Sequence, residues 1–389
     1  MPFRGGFGLP SFFAGFRLPR GGAICQNRPI TKPAIDCNAG SKREKQMTRT
    51  WTALAAAAVV LAATTARADG ELHIYNWGDY TNPDLIKKFE DTYHVKVTLD
   101  DYDSNETMLA KVRAGGTGFD IVVPSDYTVK IMIDEGMLAK TEPNKMENFS
   151  HLDPRWVDVY WDKGRNYSVP WQTGTTTFTV DTAKYTGDIN TYAILFNTPE
   201  ELRGRINMLP DMNSTIRAAQ FYLGLPRCDG DKANLKKVND LLQNAKQNFW
   251  RTFDYDTLGK LTSGDADVSQ NWNGYSWRAR QQRTTLAYAY PKEGFEGWMD
   301  NVVVLKDAPN LENAKLWQNF IMAPENAALI SMFARYSNGI AGSDKFMDAD
   351  FANAPEIKIP AGAPAPEFVP PCPPEVNDLY NKIWTSLLK

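Results

Sequence analysis

The chain has 389 residues, 43% hydrophobic and 23% charged, with a formal net charge of −3. That balance leaves no basic footprint for a nucleic acid, and a length beyond about 250–300 residues favours more than one core. Aromatic residues are plentiful, with 11 Trp, 16 Tyr and 19 Phe. Several tryptophans sit beside Gly, Asn, Asp or Ser rather than inside apolar runs, which suits the wall of a cleft better than a core.

Residues 1–46 mix Gly, Pro, Arg and Phe with no helix or strand period. They read as a leader outside the folded protein, either an upstream start or a long n-region removed with the segment that follows. From Met47, flanked by Lys45 and Arg49, a small apolar run over Ala53–Ala63 ends in Ala66-Arg67-Ala68. A basic start, a short apolar run and a small-x-small end predict a signal peptide over 47–68 and export of 69–389. The run falls short of the roughly 20 residues a permanent membrane helix needs.

Glu71–Asn76 alternates as a strand and breaks at Trp77-Gly78-Asp79-Tyr80. Asn82-Pro83-Asp84 opens a helix carrying Leu85, Ile86 and Phe89, His94–Leu99 is a second strand, and Glu106–Ala114 a helix stopped by Gly115-Gly116. Phe119–Val123 is an apolar third strand ending at Pro124-Ser125. Strand and helix alternating at these lengths predict an α/β domain with a mainly parallel sheet. Such sheets bind ligands beyond their carboxyl ends, where Trp77–Tyr80 and Ser125–Tyr127 fall.

Asn166–Val180 is β-branched and reads as a strand pair leaving this first lobe. Helices are predicted over Thr198–Arg203, Met212–Leu223, Ala233–Asn248 and Thr257–Ser263. A turn at Trp272–Trp277 opens another helix. Pro291–Gly294 leads through Trp298-Met299-Asp300 to a strand over Asn301–Leu305, and helices follow at Leu311–Ile321 and Ala327–Met332. The tail is Pro/Ala-rich, its tract Pro360–Pro374 either an ordered belt or a linker, before a last helix at Glu375–Leu388. Cys25 and Cys37 lie in the leader. An exported protein meets an oxidising compartment, so Cys228 and Cys372 could form a disulfide or remain two buried thiols. His73, His94 and His151 have no ligand spacing, so neither a metal site, a cofactor nor His-based catalysis is expected.

Asn76-Trp77-Gly78-Asp79-Tyr80, Asp103-Ser104-Asn105-Glu106 and Gly118–Ser125 occur in order, followed by Val169-Pro170-Trp171, Asn271-Trp272-Asn273-Gly274, Pro291-Lys292-Glu293-Gly294 and Trp298-Met299-Asp300. This series resembles the polyamine-binding proteins of bacterial ABC importers and covers nearly all of 69–389. The resemblance implies a two-lobed periplasmic binding protein of type II, α/β in class, hinged on extended crossing segments. Lobe one is expected at 69–178 plus 301–345 and lobe two at 179–300, with 346–389 packing across both. It further implies a periplasmic monomer that hands a small amine, such as putrescine or spermidine, to an inner-membrane ABC permease.

An alkylammonium needs a carboxylate for its charge and aromatic faces for its methylenes, each face contributing roughly 0.5–2 kcal/mol. Trp77, Tyr80, Tyr127, Trp272, Trp298 and Tyr336 can supply faces and Asp300 the charge. The resemblance places these in the cleft and adds hydrogen bonds from Asp79 and Ser125. Trp156, Trp161, Trp250 and Trp317 have no such setting and read as packing residues. The chain also departs from the family. Asp211 is kept, but Ser214 stands where an acid is expected, with Arg217 a turn later. The turn Trp272-Asn273-Gly274-Tyr275 also lacks its acid. Losing two carboxylates weakens the case for a second ammonium, and Arg217 or Arg251 would suit a ligand carboxylate. The sequence therefore favours γ-aminobutyrate or a related ω-amino acid. The rival classes are a ferric-iron-binding protein using tyrosine oxygens, an exported hydrolase, for which no Gly-x-Ser-x-Gly is present, and a partner of a chemoreceptor or sensor kinase.

Overall fold

The computed structural model describes residues 70–389; the leader, the expected signal peptide, Cys25 and Cys37 lie outside the described residues. Strand β1 (Gly70–Trp77) sends Leu72 and Ile74 to one side of the sheet and Tyr75 to the other. Helix α1 (Pro83–Tyr93) starts where the Asn82 side chain accepts the Asp84 N–H at 2.9 Å. Strand β2 (Val95–Tyr102) runs parallel to β1, and α2 (Asn105–Ala114) is capped by Ser104. Strand β3 (Ile121–Val122) lies parallel to β1 on its other side and leads into α3 (Asp126–Asp134).

After a small hairpin of β4 (Asp158–Val159) and β5 (Asp162–Lys163), the chain enters β6 (Ser168–Asp181), a single strand of 14 residues. The strand pair expected over 166–180 is thus one continuous crossing. Next come α4 (Ala193–Phe196), β7 (Ile206–Met208), α5 (Met212–Tyr222), α6 (Lys232–Asn248), β8 (Trp250–Phe253) and α7 (Thr257–Ser263). The helix expected at 198–203 is only a 3₁₀ turn, Glu200–Leu202. Strand β9 (Val268–Trp272), α8 (Asn273–Gln282) and β10 (Leu286–Tyr288) lead to the second crossing strand, β11 (Glu296–Val304). Helices α9 (Leu311–Ile321), α10 (Pro324–Ala334) and α11 (Ala349–Ala352), strand β12 (Glu367–Phe368) and helix α12 (Pro374–Leu388) complete the chain.

The main sheet runs β2-β1-β3-β11-β6-β9-β7-β8, with β10 added to β6 and β12 to β11. Pairing is parallel at both ends and antiparallel in the middle, where β6 pairs with both β11 and β9. Two-lobed α/β architecture follows from this order: β6 and β11 are the extended segments that belong to both halves. One core gathers Phe178, Ile206, Ile216, Val238 and Leu242 with Tyr380 and Leu387 of α12. Around β1, β3 and the end of β11, Val302 and Val304 face a core with Phe89, Trp171 and Trp317, while Val303 faces another with Met108, Val122 and Met132. Trp161, Trp250 and Trp317 are buried, and Trp156 is partly buried against Phe368.

The tail is ordered. Its β12 pairs with Glu296 and Gly297 of β11, Cys372 is joined to Cys228 by a disulfide of S–S 2.10 Å, and α12 packs on α5 and α6. Among the described residues, no helix is long and apolar enough to cross a membrane.

Candidate ligand-binding site

Strand β11 starts five residues earlier than the expected Asn301, because Glu296–Asp300 pair in register with Thr176–Gln172 of β6. Trp298 and Asp300 are therefore strand residues two apart, and strand alternation turns both to one face. Beneath the Trp298 ring lies Gly174, its cross-strand partner. A Cβ built on Gly174 would sit 2.5 Å from that ring and 2.4 Å from Asn273 Oδ1, so only glycine lets the indole lie flat there. Tyr336 meets Trp298 edge-on at 5.1 Å and Tyr80 at 5.9 Å, both centroid distances.

Asp300 is buried at this ring cluster. Its Oδ2 accepts the Tyr80 hydroxyl at 2.9 Å and its Oδ1 the Ser125 hydroxyl at 2.7 Å. Ser125 is held in turn by Asn105, whose Nδ2 donates to its Oγ and whose Oδ1 accepts its backbone N–H, both at 3.1 Å. Burial pushes the Asp300 carboxyl up to about 7, with a further push from Asp126, against the two hydroxyl hydrogen bonds. Asp126, whose Oδ2 accepts the Tyr160 hydroxyl at 2.7 Å, is likewise raised to about 7, mainly by burial. Burial also raises the phenols of Tyr80 and Tyr336 well above their usual value, so both stay neutral donors.

The turn after β1 supplies a further face. Trp77 donates Nε1–H to the Val123 carbonyl at 2.9 Å and packs on Tyr102 at 4.7 Å. Asp79 is exposed and takes the left-handed conformation, φ 52°. Opposite, Trp272 packs against Tyr275 and lies parallel to Tyr255, with centroids 5.5 and 6.5 Å away.

At the far end, Asp211 caps α5 by accepting the Ser214 N–H at 2.7 Å. The Ser214 hydroxyl donates to Glu296 Oε2 at 3.1 Å, and Arg217 forms a buried ion pair with Glu296. The Tyr127 hydroxyl donates to Glu106 at 3.4 Å.

These groups line one cavity of about 730 Å³, within the usual size of a small-molecule site. Of the fourteen residues named from the sequence, thirteen line it: Trp77, Asp79, Tyr80, Ser125, Tyr127, Asp211, Ser214, Arg217, Trp272, Tyr275, Trp298, Asp300 and Tyr336. Arg251 does not. It is exposed on β8 at the edge of the sheet, where its Nη1 donates to the Asp265 carbonyl at 3.4 Å, so the expectation that it meets a ligand is corrected. Arg217 lines the cavity but is already paired, because Glu296 arrives on the neighbouring strand.

The sequence reading missed Glu296, Asp126, Tyr102 and Tyr255 and gave Glu106 no role; all five line the cavity. Glu296 had a signal: extending the strand back from Asp300 puts residues 296, 298 and 300 on one face. Among the described residues, no group of three or more His, Cys, Asp or Glu is placed to hold a metal ion.

Residues 84–359 match the bacterial extracellular solute-binding protein family. A spermidine/putrescine-binding periplasmic protein of Escherichia coli K12 is 30% identical over 304 residues, covering 77% of this chain and 87% of that protein. The putrescine-binding periplasmic protein SpuD of Pseudomonas aeruginosa is 28% identical, covering 88% and 98% respectively. Among solved structures, a protein from Listeria monocytogenes described as a candidate spermidine/putrescine ABC transporter superposes with a TM-score of 0.75 at 28% identity, covering 82% of this chain and 98% of that one. The chain belongs to the bacterial extracellular solute-binding protein family, as a binding protein rather than an enzyme and a relative of the spermidine/putrescine-binding periplasmic proteins.

Proposed function

We propose that the protein is the periplasmic solute-binding component of an ABC importer and captures a linear amine, one ammonium of which sits against Asp300. The convergence of Asp300, Tyr80, Ser125, Trp298 and Tyr336 carries this reading. A buried carboxylate held near neutrality gains most from a cation, because the cation replaces a proton it would otherwise take up. The aromatic edges and faces beside it suit the methylenes of the same ligand. The names of the relatives support the polyamine class.

Lobe one is assigned 69–178 plus 301–345 and lobe two 179–300, with the tail across both. Ligand groups contacted from both lobes would favour a closed form about β6 and β11. The closed monomer would then deliver the amine to a membrane permease. An ω-amino acid such as γ-aminobutyrate is a second reading, favoured by the presence of Arg217 on the cavity wall.

Titration calorimetry with putrescine, spermidine and γ-aminobutyrate tests the reading on the wild type and on Asp300→Ala. Binding of at least one of them to the wild type, lost in Asp300→Ala, is expected. Unchanged affinity in Asp300→Ala would refute the placement of the ammonium.

A further inference from the structure

The far wall of the cavity carries both signs of charge in a single contact. Arg217, on α5, and Glu296, the first residue of β11, are both buried, and Arg217 donates through Nη1 to Glu296 Oε1. Ser214 donates its hydroxyl to the other oxygen, Oε2, at 3.1 Å. The acid that the helix lacks at position 214 is thus supplied from the facing strand, with an arginine attached.

Neither partner is saturated. A guanidinium has five N–H donors, and among the described residues only Nη1 of Arg217 finds a hydrogen-bond acceptor. A carboxylate has about four lone-pair sites, and Glu296 receives one hydrogen bond on each oxygen. A buried ion pair stabilises a fold little better than apolar residues of the same shape. Packing alone therefore does not explain this one, whereas both residues, with donors and acceptors to spare, line a cavity. Asp211 stands at the same end, close enough that both Arg217 and Glu106 feel its charge. The end therefore holds more than one acid around one arginine, a setting for an ammonium and a carboxylate side by side.

We propose that this wall receives the α-amino acid head of a diamino acid, its carboxylate on the free N–H groups of Arg217 and its α-ammonium on Glu296. The ω-ammonium lies at Asp300, so the inference rests on the reading of that end given above. A plain diamine would leave the Arg217 donors unmet and set a cation beside a guanidinium. A plain ω-amino acid would leave Glu296 with no ligand partner. A ligand with both groups on its far carbon satisfies each.

Three probes isolate the head group: L-ornithine, putrescine (ornithine without the carboxylate) and 5-aminopentanoate (ornithine without the α-ammonium). In calorimetry on the wild type, ornithine is expected to bind at least about tenfold tighter than either truncated probe. Arg217→Gln should bring the ornithine-to-putrescine ratio close to one. The double variant Arg217→Gln/Glu296→Gln, which leaves no buried charge unpaired, should do the same should the single variant fold poorly. Putrescine binding as tightly as ornithine, or an unchanged ratio in the folded double variant, would overturn the inference and leave the Asp300 reading standing. Failure of all three probes to bind would overturn the inference, and the Asp300 reading would fall with it only if spermidine and γ-aminobutyrate do not bind either.

Discussion

The carboxylate of Asp300 accepts the hydroxyl of Tyr80 at 2.9 Å, joining residues 220 positions apart. Tyr80 ends the turn after the first strand, and Asp300 lies on the strand that returns from the other half of the sheet. The end of the cavity proposed to hold the amine is thus assembled across a crossing, and its chemistry depends on how those two segments meet.

That carboxyl makes both affinity and stability depend on pH. In the folded protein Asp300 and Asp126 titrate at about 7, whereas an unfolded Asp titrates at about 3.9. Between those values the folded chain holds more protons than the unfolded chain, so these groups make the ligand-free protein less stable as pH rises from about 4 to 7. Asp300→Asn should flatten part of that fall in the melting temperature. An ammonium needs the ionised form, so amine affinity should be about tenfold lower at pH 6 than at pH 8. Calorimetry at the two pH values checks the sign; tighter binding at pH 6 would contradict it.

Gly174 sets the position of the Trp298 ring. A Cβ there would meet the indole at 2.5 Å. Overpacking of this kind costs about 1–3 kcal/mol, and the displaced ring would no longer flank the carboxylate. Gly174→Ala should therefore lower both denaturant stability and amine affinity. Loss of stability alone would mean the ring has no part in binding.

The Cys228–Cys372 disulfide closes a sequence separation of 144 residues and anchors the tail close to Val369, which lines the cavity. Removing a link across so long a loop costs about 2–5 kcal/mol. The double variant Cys228→Ser/Cys372→Ser should lose stability of that order in chemical denaturation. A reducing agent should do the same to the wild type and leave the variant unchanged.

Much of the first half of the fold was legible because its signals are local. Alternation marked β1, Asn82-Pro83-Asp84 marked the start of α1, Gly115-Gly116 marked the end of α2, and the turns at strand ends held Trp77, Tyr80 and Ser125. The missed features are non-local. The extension of β11 back to Glu296 comes from pairing with β6, and the one-face spacing of residues 296, 298 and 300 becomes a signal only once that pairing is known. Arg251 has aromatic neighbours much like those of the cavity residues, but its strand lies at the outer edge of the sheet, which only the strand order reveals. Arg217 lines the cavity, yet its partner lies 79 residues away and no local pattern announces it.

A crystal structure of the protein with putrescine tests the central claim most directly. An amine nitrogen should lie about 3 Å from an Asp300 carboxylate oxygen, with the ligand's methylenes against Trp298 and Tyr336. Putrescine bound with both nitrogens away from Asp300, or outside this cavity, would contradict it.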